Sequence, residues 1–224
     1  HQPVRFTKGE LTLQAFQKVW LSHIPIIVSS VHLDFQVSWG PEYFVEHYGN
    51  DTCEVEDCET GQPVTDFTVG RFFSGFGQPR APDGPILRLK DWPPKQHFND
   101  IFPDLWEDFL QAVPMPDYCA PNGIYNLASH FPRNAVVPDL GPKLYNAYTS
   151  TLDDHHNGST RLHLDVADAV NVMAFTGKDV SGASGHAVWQ IFHADDTDRI
   201  RQYLRDRHPH LSNSAGDPIH NQTI

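Results

Sequence analysis

The sequence predicts an α+β fold, mainly β, with an antiparallel β core. Three observations predict it. Helical patterns dominate the first part of the chain and extended apolar runs the last, and helices followed by strands is the α+β arrangement. Eighteen Pro and 15 Gly among 224 residues require many turns and short elements, not a long bundle. Hydrophobic residues make up 39% and charged residues 20%, which supplies a core and excludes a disordered tail. We read one domain over 1–224, with a helical and mixed part at 1–137 and the first part of a β core at 138–224.

The elements follow in order. Leu11 to Trp20 places Leu13, Phe16, Val19 and Trp20 at helical spacing, with Thr12 as N-cap. His23-Ile24-Pro25 ends that helix, and Ile26, Ile27 and Val28 read as a short buried strand. Trp39-Gly40-Pro41 opens a helix over Glu42 to Tyr48. Cys53 to Cys58 is β-like, closed by the turn residues of 59–63. Val69 to Phe76 is aromatic-rich and reads as a helix, with Phe72, Phe73 and Phe76 as core rather than a ligand platform. A Pro/Gly-rich loop, 77–84, precedes a strand at Ile86 to Leu89, which Asp91-Trp92-Pro93-Pro94 breaks. Asp104 to Ala112 is a helix with Leu105, Phe109 and Leu110 inward, and 114–138 is mostly loop. Lys143 to Tyr148, Leu162 to Phe175 and Ala187 to Phe192 read as strands, with a Gly/Ser-rich connector at 176–185. Asp195 to Arg207 is a helix carrying Ile200 and Leu204 at i,i+4 spacing.

Charge and cysteine content narrow the function. Twenty-eight acidic against 16 basic residues give a net charge of −12. That excludes broad binding to a phosphate backbone and leaves room for a Lys/Arg-rich partner. No sequence-specific nucleic-acid contact is expected. Three cysteines, Cys53, Cys58 and Cys119, are an odd number and suit a reducing compartment. Cys53 and Cys58 could pair on a metal, but no second pair completes a zinc site. No apolar run reaches the roughly 18–20 residues that span a membrane. The chain starts at His1, without an initiator Met, and reads as an excised part of something longer.

The chemistry lies in Ser159-Thr160-Arg161-Leu162-His163-Leu164-Asp165-Val166. On a strand His163 and Asp165 point the same way, about 7 Å apart along the chain at roughly 3.3 Å per residue. Two such side chains suit adjacent corners of an octahedral metal, and His-x-Asp is the paired half of a 2-His-1-carboxylate iron site. The same tripeptide also serves as a plain hydrogen-bonded pair. The apolar run that follows, Val166 to Met173, favours the metal, since polar groups aimed into an apolar interior need compensation. Strand parity aims Asn171 and Met173 to the same side. Thr160, three residues before His163, joins them only through a turn or bulge.

These residues resemble a known family. Gly141-Pro142-Lys143-Leu144-Tyr145-Asn146-Ala147-Tyr148 and His163 to Met173 are similar to the JmjC-domain histone lysine demethylases, in particular the hairless-related branch acting on histone H3 lysine-9. Further matching stretches are Leu89-Lys90-Asp91-Trp92-Pro93-Pro94, Tyr125-Asn126-Leu127-Ala128-Ser129, Pro138-Asp139-Leu140-Gly141-Pro142, Trp189 to Phe192 with Asp195-Asp196-Thr197, and Asp217-Pro218-Ile219-His220. They run co-linearly over nearly the whole chain. The resemblance implies a double-stranded β-helix, the jelly-roll or cupin-like JmjC barrel, with N-terminal helical decoration. It implies Fe(II), 2-oxoglutarate and O₂, a histone H3 tail as partner, and the nucleus as location. It makes His163 and Asp165 the first two iron ligands, Thr160 a contact to the distal carboxylate of 2-oxoglutarate, and Asn171 and Asn146 further polar contacts in the pocket. Relatives also use a Lys on a neighbouring strand, for which Lys178 is the nearest candidate.

The chain departs from the family at the third iron ligand, a late-strand His after a Pro-rich turn. None follows His220, so we expect the barrel to be incomplete at the C-terminus. His186, His193, His208, His210 and His220 are the available substitutes, and solvated loop is the simpler reading for His155, His156, His208 and His210. Asp153-Asp154 and Asp195-Asp196 read as solvated surface, the second pair at a helix N-terminus. Two other functions stay open: a catalytically inactive JmjC-like scaffold on chromatin, and a protein side-chain hydroxylase.

Overall fold

The computed structural model describes residues 2–78, 84–90, 92–93, 97–136, 140–150, 158–160, 162–165, 167–178, 181–210 and 216–219. In chain order the elements are β1 (Val4–Thr7), α1 (Leu13–Trp20), β2 (Ile26–Ser29), α2 (Pro41–Tyr48), β3 (Glu54–Asp57), β4 (Pro63–Val64), α3 (Val69–Ser74), β5 (Leu87–Lys90), α4 (Phe98–Ile101), α5 (Pro103–Ala112), α6 (Pro116–Cys119), β6 (Asn146–Ala147) and α7 (Thr197–Arg207). Short 3₁₀ turns lie at Val31–Asp34, Leu127–His130 and Ala194–Asp196. Two compact units result, one from 1–47 with 91–144, the other from 48–90 with 145–224.

In the first unit β1 and β2 pair in parallel, Val4 opposite Ile26 through Thr7 opposite Ser29. A parallel pair needs a crossover, and α1 provides it. Thr12 caps α1 as the sequence predicts, its hydroxyl accepting from the Ala15 N–H at 3.2 Å. The core of this unit is aromatic: Phe98 and Trp92 lie 5.0 and 5.3 Å from Phe102, ring centroid to centroid, and Phe102 and Leu105 are fully buried. Pro103 at the first turn of α5 fits, since its missing N–H would have no helical partner there.

The second unit carries a four-stranded sheet in the order β4-β3-β5-β6, antiparallel throughout. Register assigns its faces. Val64, Val55, Leu89 and Asn146 lie in one row across all four strands, while Pro63, Glu56, Arg88 and Ala147 form the neighbouring row on the other face. Val55 and Leu89 are buried, so the first face is the packed one. Phe72 and Phe73 of α3 are core, as predicted. Tyr148 stacks on Phe72 at 4.9 Å and donates its hydroxyl to the Phe72 carbonyl at 2.9 Å.

The expected antiparallel sheet is present, but no closed barrel forms among the described residues. Leu162 to Phe175 and Ala187 to Phe192 do not form strands among the described residues, and Lys143 to Tyr148 yields only β6. An apolar run gives strand character only where a neighbour accepts and donates its ladder hydrogen bonds. Between these two runs the connector closes on itself, where Lys178 bridges Ser184 and the Gly185 N–H donates to the Gly177 carbonyl at 2.9 Å. The strands β1 and β4, absent from the sequence reading, are four and two residues long, too short to show a period.

Candidate metal centre

The polar face of the second unit's sheet positions the segment that carries the candidate ligands. Arg88 on β5 donates through Nη1 to the Ser159 carbonyl at 3.0 Å and through Nη2 to Glu56 Oε1 at 2.7 Å. Lys90 shares the same carboxylate, with Nζ 3.5 Å from Glu56 Oε2. Glu56, Arg88 and Lys90 fall on one face because alternate residues of paired antiparallel strands do. Residue 159 therefore sits against β5, one position before Thr160 and four before His163.

His163 and Asp165 lie in contact. Nε2 of His163 is 3.4 Å from Oδ1 of Asp165, with the imidazole 17% exposed and the carboxylate 43% exposed. They meet without the strand that was expected to align them, since 162–165 makes no ladder. Two ligands at about 2.1 Å on adjacent corners of an octahedral ion stand about 3 Å apart, so the separation of this pair suits two ligands of one ion as well as a plain His–Asp contact. Tyr145 is beside it. Burial, and then the Asp165 charge, push the Tyr145 phenol up from its ordinary range. Alternation from Ala147 puts Tyr145 on the polar face, the side on which Arg88 holds Ser159.

The other predicted residues are spread out. Thr160 is exposed on the tethered segment, and Asn171 and Lys178 are exposed further along the chain. Asn146 lies in the apolar row with Val55 and Leu89, and its Nδ2 is buried with no hydrogen-bond partner. Register therefore puts Asn146 on the face of the sheet opposite to the one on which Arg88 holds Ser159. His193 forms a second His-x-Asp contact, Nδ1 3.4 Å from Asp195 Oδ2, at the start of the turn before α7. His186, His208 and His210 are exposed, and His155, His156, His220, Asp153 and Asp154 lie outside the described residues. Among the described residues no group of three or more His, Cys, Asp or Glu side chains gathers, either here or around Cys53 and Cys58. No helix of the described residues is long and apolar enough to cross a membrane.

Arg88 and Tyr145 were not singled out from the sequence. Arg88 did carry a signal, a lone cation inside the apolar run Ile86 to Leu89. Tyr145 stands next to Asn146, and only the fold shows that the Asp165 charge acts on it.

No family model matches the chain. Its similarity, over nearly all of its length, is to proteins named lysine-specific demethylases and to one named for a JmjC domain and histone demethylation. Lysine-specific demethylase 3A of Gallus gallus is 34% identical over 254 residues, covering 96% of this chain and 19% of the relative. Lysine-specific demethylase 3 of Drosophila melanogaster is 33% identical over 251 residues, covering 92% of this chain and 29% of the relative. A human protein named for a JmjC domain and histone demethylation is 30% identical over 261 residues, covering 96% of this chain and 10% of the relative. The chain thus spans about a fifth of the length of the first of these relatives.

Proposed function

We propose that this chain carries part of the active centre of an Fe(II)- and 2-oxoglutarate-dependent histone lysine demethylase, acting on histone H3 at lysine-9 in the nucleus. The observation that carries the reading is the His163–Asp165 pair at 3.4 Å, in a chain co-linear with lysine demethylases. Iron and 2-oxoglutarate supply the oxidation: O₂ is consumed, 2-oxoglutarate becomes succinate and CO₂, and one oxygen atom is inserted into an N-methyl C–H bond. The resulting N-hydroxymethyl lysine loses formaldehyde and returns the amine.

The chain's own groups bind and orient. His163 Nε2 and Asp165 Oδ1 would hold the iron, and further ligands and the co-substrates would complete its coordination. Thr160, on the segment that leads to the pair, offers a hydroxyl to a carboxylate of 2-oxoglutarate. The excess of 28 acidic over 16 basic residues favours approach of a Lys/Arg-rich tail.

The test is incubation of the chain, joined to a C-terminal segment that supplies the third iron ligand, with ferrous iron, 2-oxoglutarate and an H3 tail peptide methylated at lysine-9, followed by mass spectrometry. Loss of methyl mass with matching formaldehyde and succinate is expected. His163→Ala and Asp165→Asn should lower turnover by at least about 100-fold, since each removes a ligand. Gain of one oxygen without methyl loss would move the reading to a side-chain hydroxylase. Binding of both iron and 2-oxoglutarate with no change to the peptide would overturn the demethylase reading.

A further inference from the structure

We propose that Arg88 is a positioning residue for the His163–Asp165 pair, with Glu56 as its brace. The inference rests on the metal-site reading above and concerns how this chain keeps that site in shape. Among the described residues, the 158–160 segment is held to the sheet by the hydrogen bond of Arg88 Nη1 to the Ser159 carbonyl, at 3.0 Å. Glu56 fixes the same guanidinium from the opposite side at 2.7 Å. The two bonds use separate nitrogens of one rigid plane, so a carbonyl on one segment and a carboxylate on another are held at a fixed separation. A lysine at this position offers a point donor and cannot reproduce that fork.

Arg88 Nε is itself buried without a partner. A side chain kept for stability alone has no reason to bury an unpaired donor. That burden is consistent with selection for where the guanidinium delivers its other two bonds. The segment so held leads directly to Thr160, His163 and Asp165, none of which lies on a strand. With no ladder to align them, the carbonyl one residue before Thr160 is where the sheet passes its rigidity to the pair.

The test compares the whole chain with its Arg88→Lys and Glu56→Gln variants, the second retaining an acceptor for Nη2 so that folding is preserved. The first readout is amide hydrogen exchange of peptides covering 158–165 in metal-free protein, with peptides covering α5 as internal control. The second is Mn(II) affinity in the presence of 2-oxoglutarate, followed by the resonance signal of the free ion. Arg88→Lys should raise exchange in 158–165 by about tenfold, the loss of one charge-assisted hydrogen bond, and leave α5 unchanged. Mn(II) affinity should fall by a similar factor, and Glu56→Gln should give a smaller change in both readouts. Unchanged exchange in 158–165, or a rise shared equally by α5, would overturn the proposal. Local loosening without Mn(II) binding by the parent chain would uphold the hold of Arg88 on the segment and overturn the metal reading instead.

Discussion

Three N–H groups converge on the Asp108 carboxylate. The Gln36 and Val37 backbones donate at 2.6 and 3.3 Å, and Trp39 Nε1 donates at 2.8 Å. The residue is only 3% exposed, and its donor Trp39 is buried with it. Asp108→Ala should destabilise the chain by about 2 kcal/mol, measured by denaturant unfolding, because it strands the buried Trp39 Nε1–H. Cys53 and Cys119 give a second residue-level prediction. Burial pushes both thiols up to about 11. A shift of that size leaves little thiolate at pH 8, so alkylation of either should run about 100-fold slower than for a free cysteine and accelerate as pH rises. Mass spectrometry of timed iodoacetamide reactions checks it. At this scale the sequence was most legible where one residue's chemistry implies its neighbour's. His-x-Asp named its own pair, and Thr12 named its own cap. Arg88 and Tyr145 were not legible, because each acts on a segment at least 20 residues away.

α3 and β6 meet through one side chain, and the meeting has a testable energy. A Cβ built on Gly75, the residue that ends α3, would collide with Oη of Tyr148. That hydroxyl donates to the Phe72 carbonyl one turn earlier. Gly75→Ala should cost about 2 kcal/mol by overpacking, and Tyr148→Phe about 1 kcal/mol by losing the bond. Because the clash needs the oxygen, Gly75→Ala should cost measurably less in the Tyr148→Phe background, and strict additivity would refute the contact. α7 is tied down differently. Arg201 Nε reaches both oxygens of Asp217 at 3.1 Å, and Nη2 reaches Oδ2 at 3.0 Å. Those bonds, and then the Ile219 N–H, hold the Asp217 carboxyl below its ordinary value of 3.8. A lowered folded-state pKa contributes stability above the unfolded value and loses it as pH falls through the folded one. The link of α7 to 216–219 should therefore persist at pH 4 and loosen below it, with the Asp217 carboxyl carbon titrating below 3.8 by NMR. The helices of six or more residues were legible in sequence to within a few residues at each end, since caps and period are local, whereas the four-residue α4 and α6 were not. The short strands β2, β3 and β5 were legible too, but the long runs were not, since Leu162 to Phe175 states an apolar pattern and leaves unsaid which segment pairs with it.

Across the whole molecule the same mismatch leaves apolar surface in water. Val188, Trp189, Ile191 and Phe192 are each more than half exposed, and Val170, Met173 and Phe175 more than a third. These residues belong to the two runs that the sequence marks as β core and that take no ladder in the described residues. Isolated exposed apolar residues are ordinary, but a contiguous group of this size attracts other apolar surface. Two consequences separate an exposed run from a packed one. If it is exposed, Ile191→Lys removes no packing, and the unfolding free energy should change by no more than about 0.5 kcal/mol. The same variant should lower both the fluorescence of an apolar-surface dye and light scattering at high concentration, because it breaks the patch at its most exposed large residue in the second run. If the run were packed in solution, burying a lysine there would cost several kcal/mol, and dye binding would rise as the fold loosened. The paired measurement on one variant therefore reads directly whether these runs lie in solvent, and only a fall in dye binding at unchanged stability agrees with this structure.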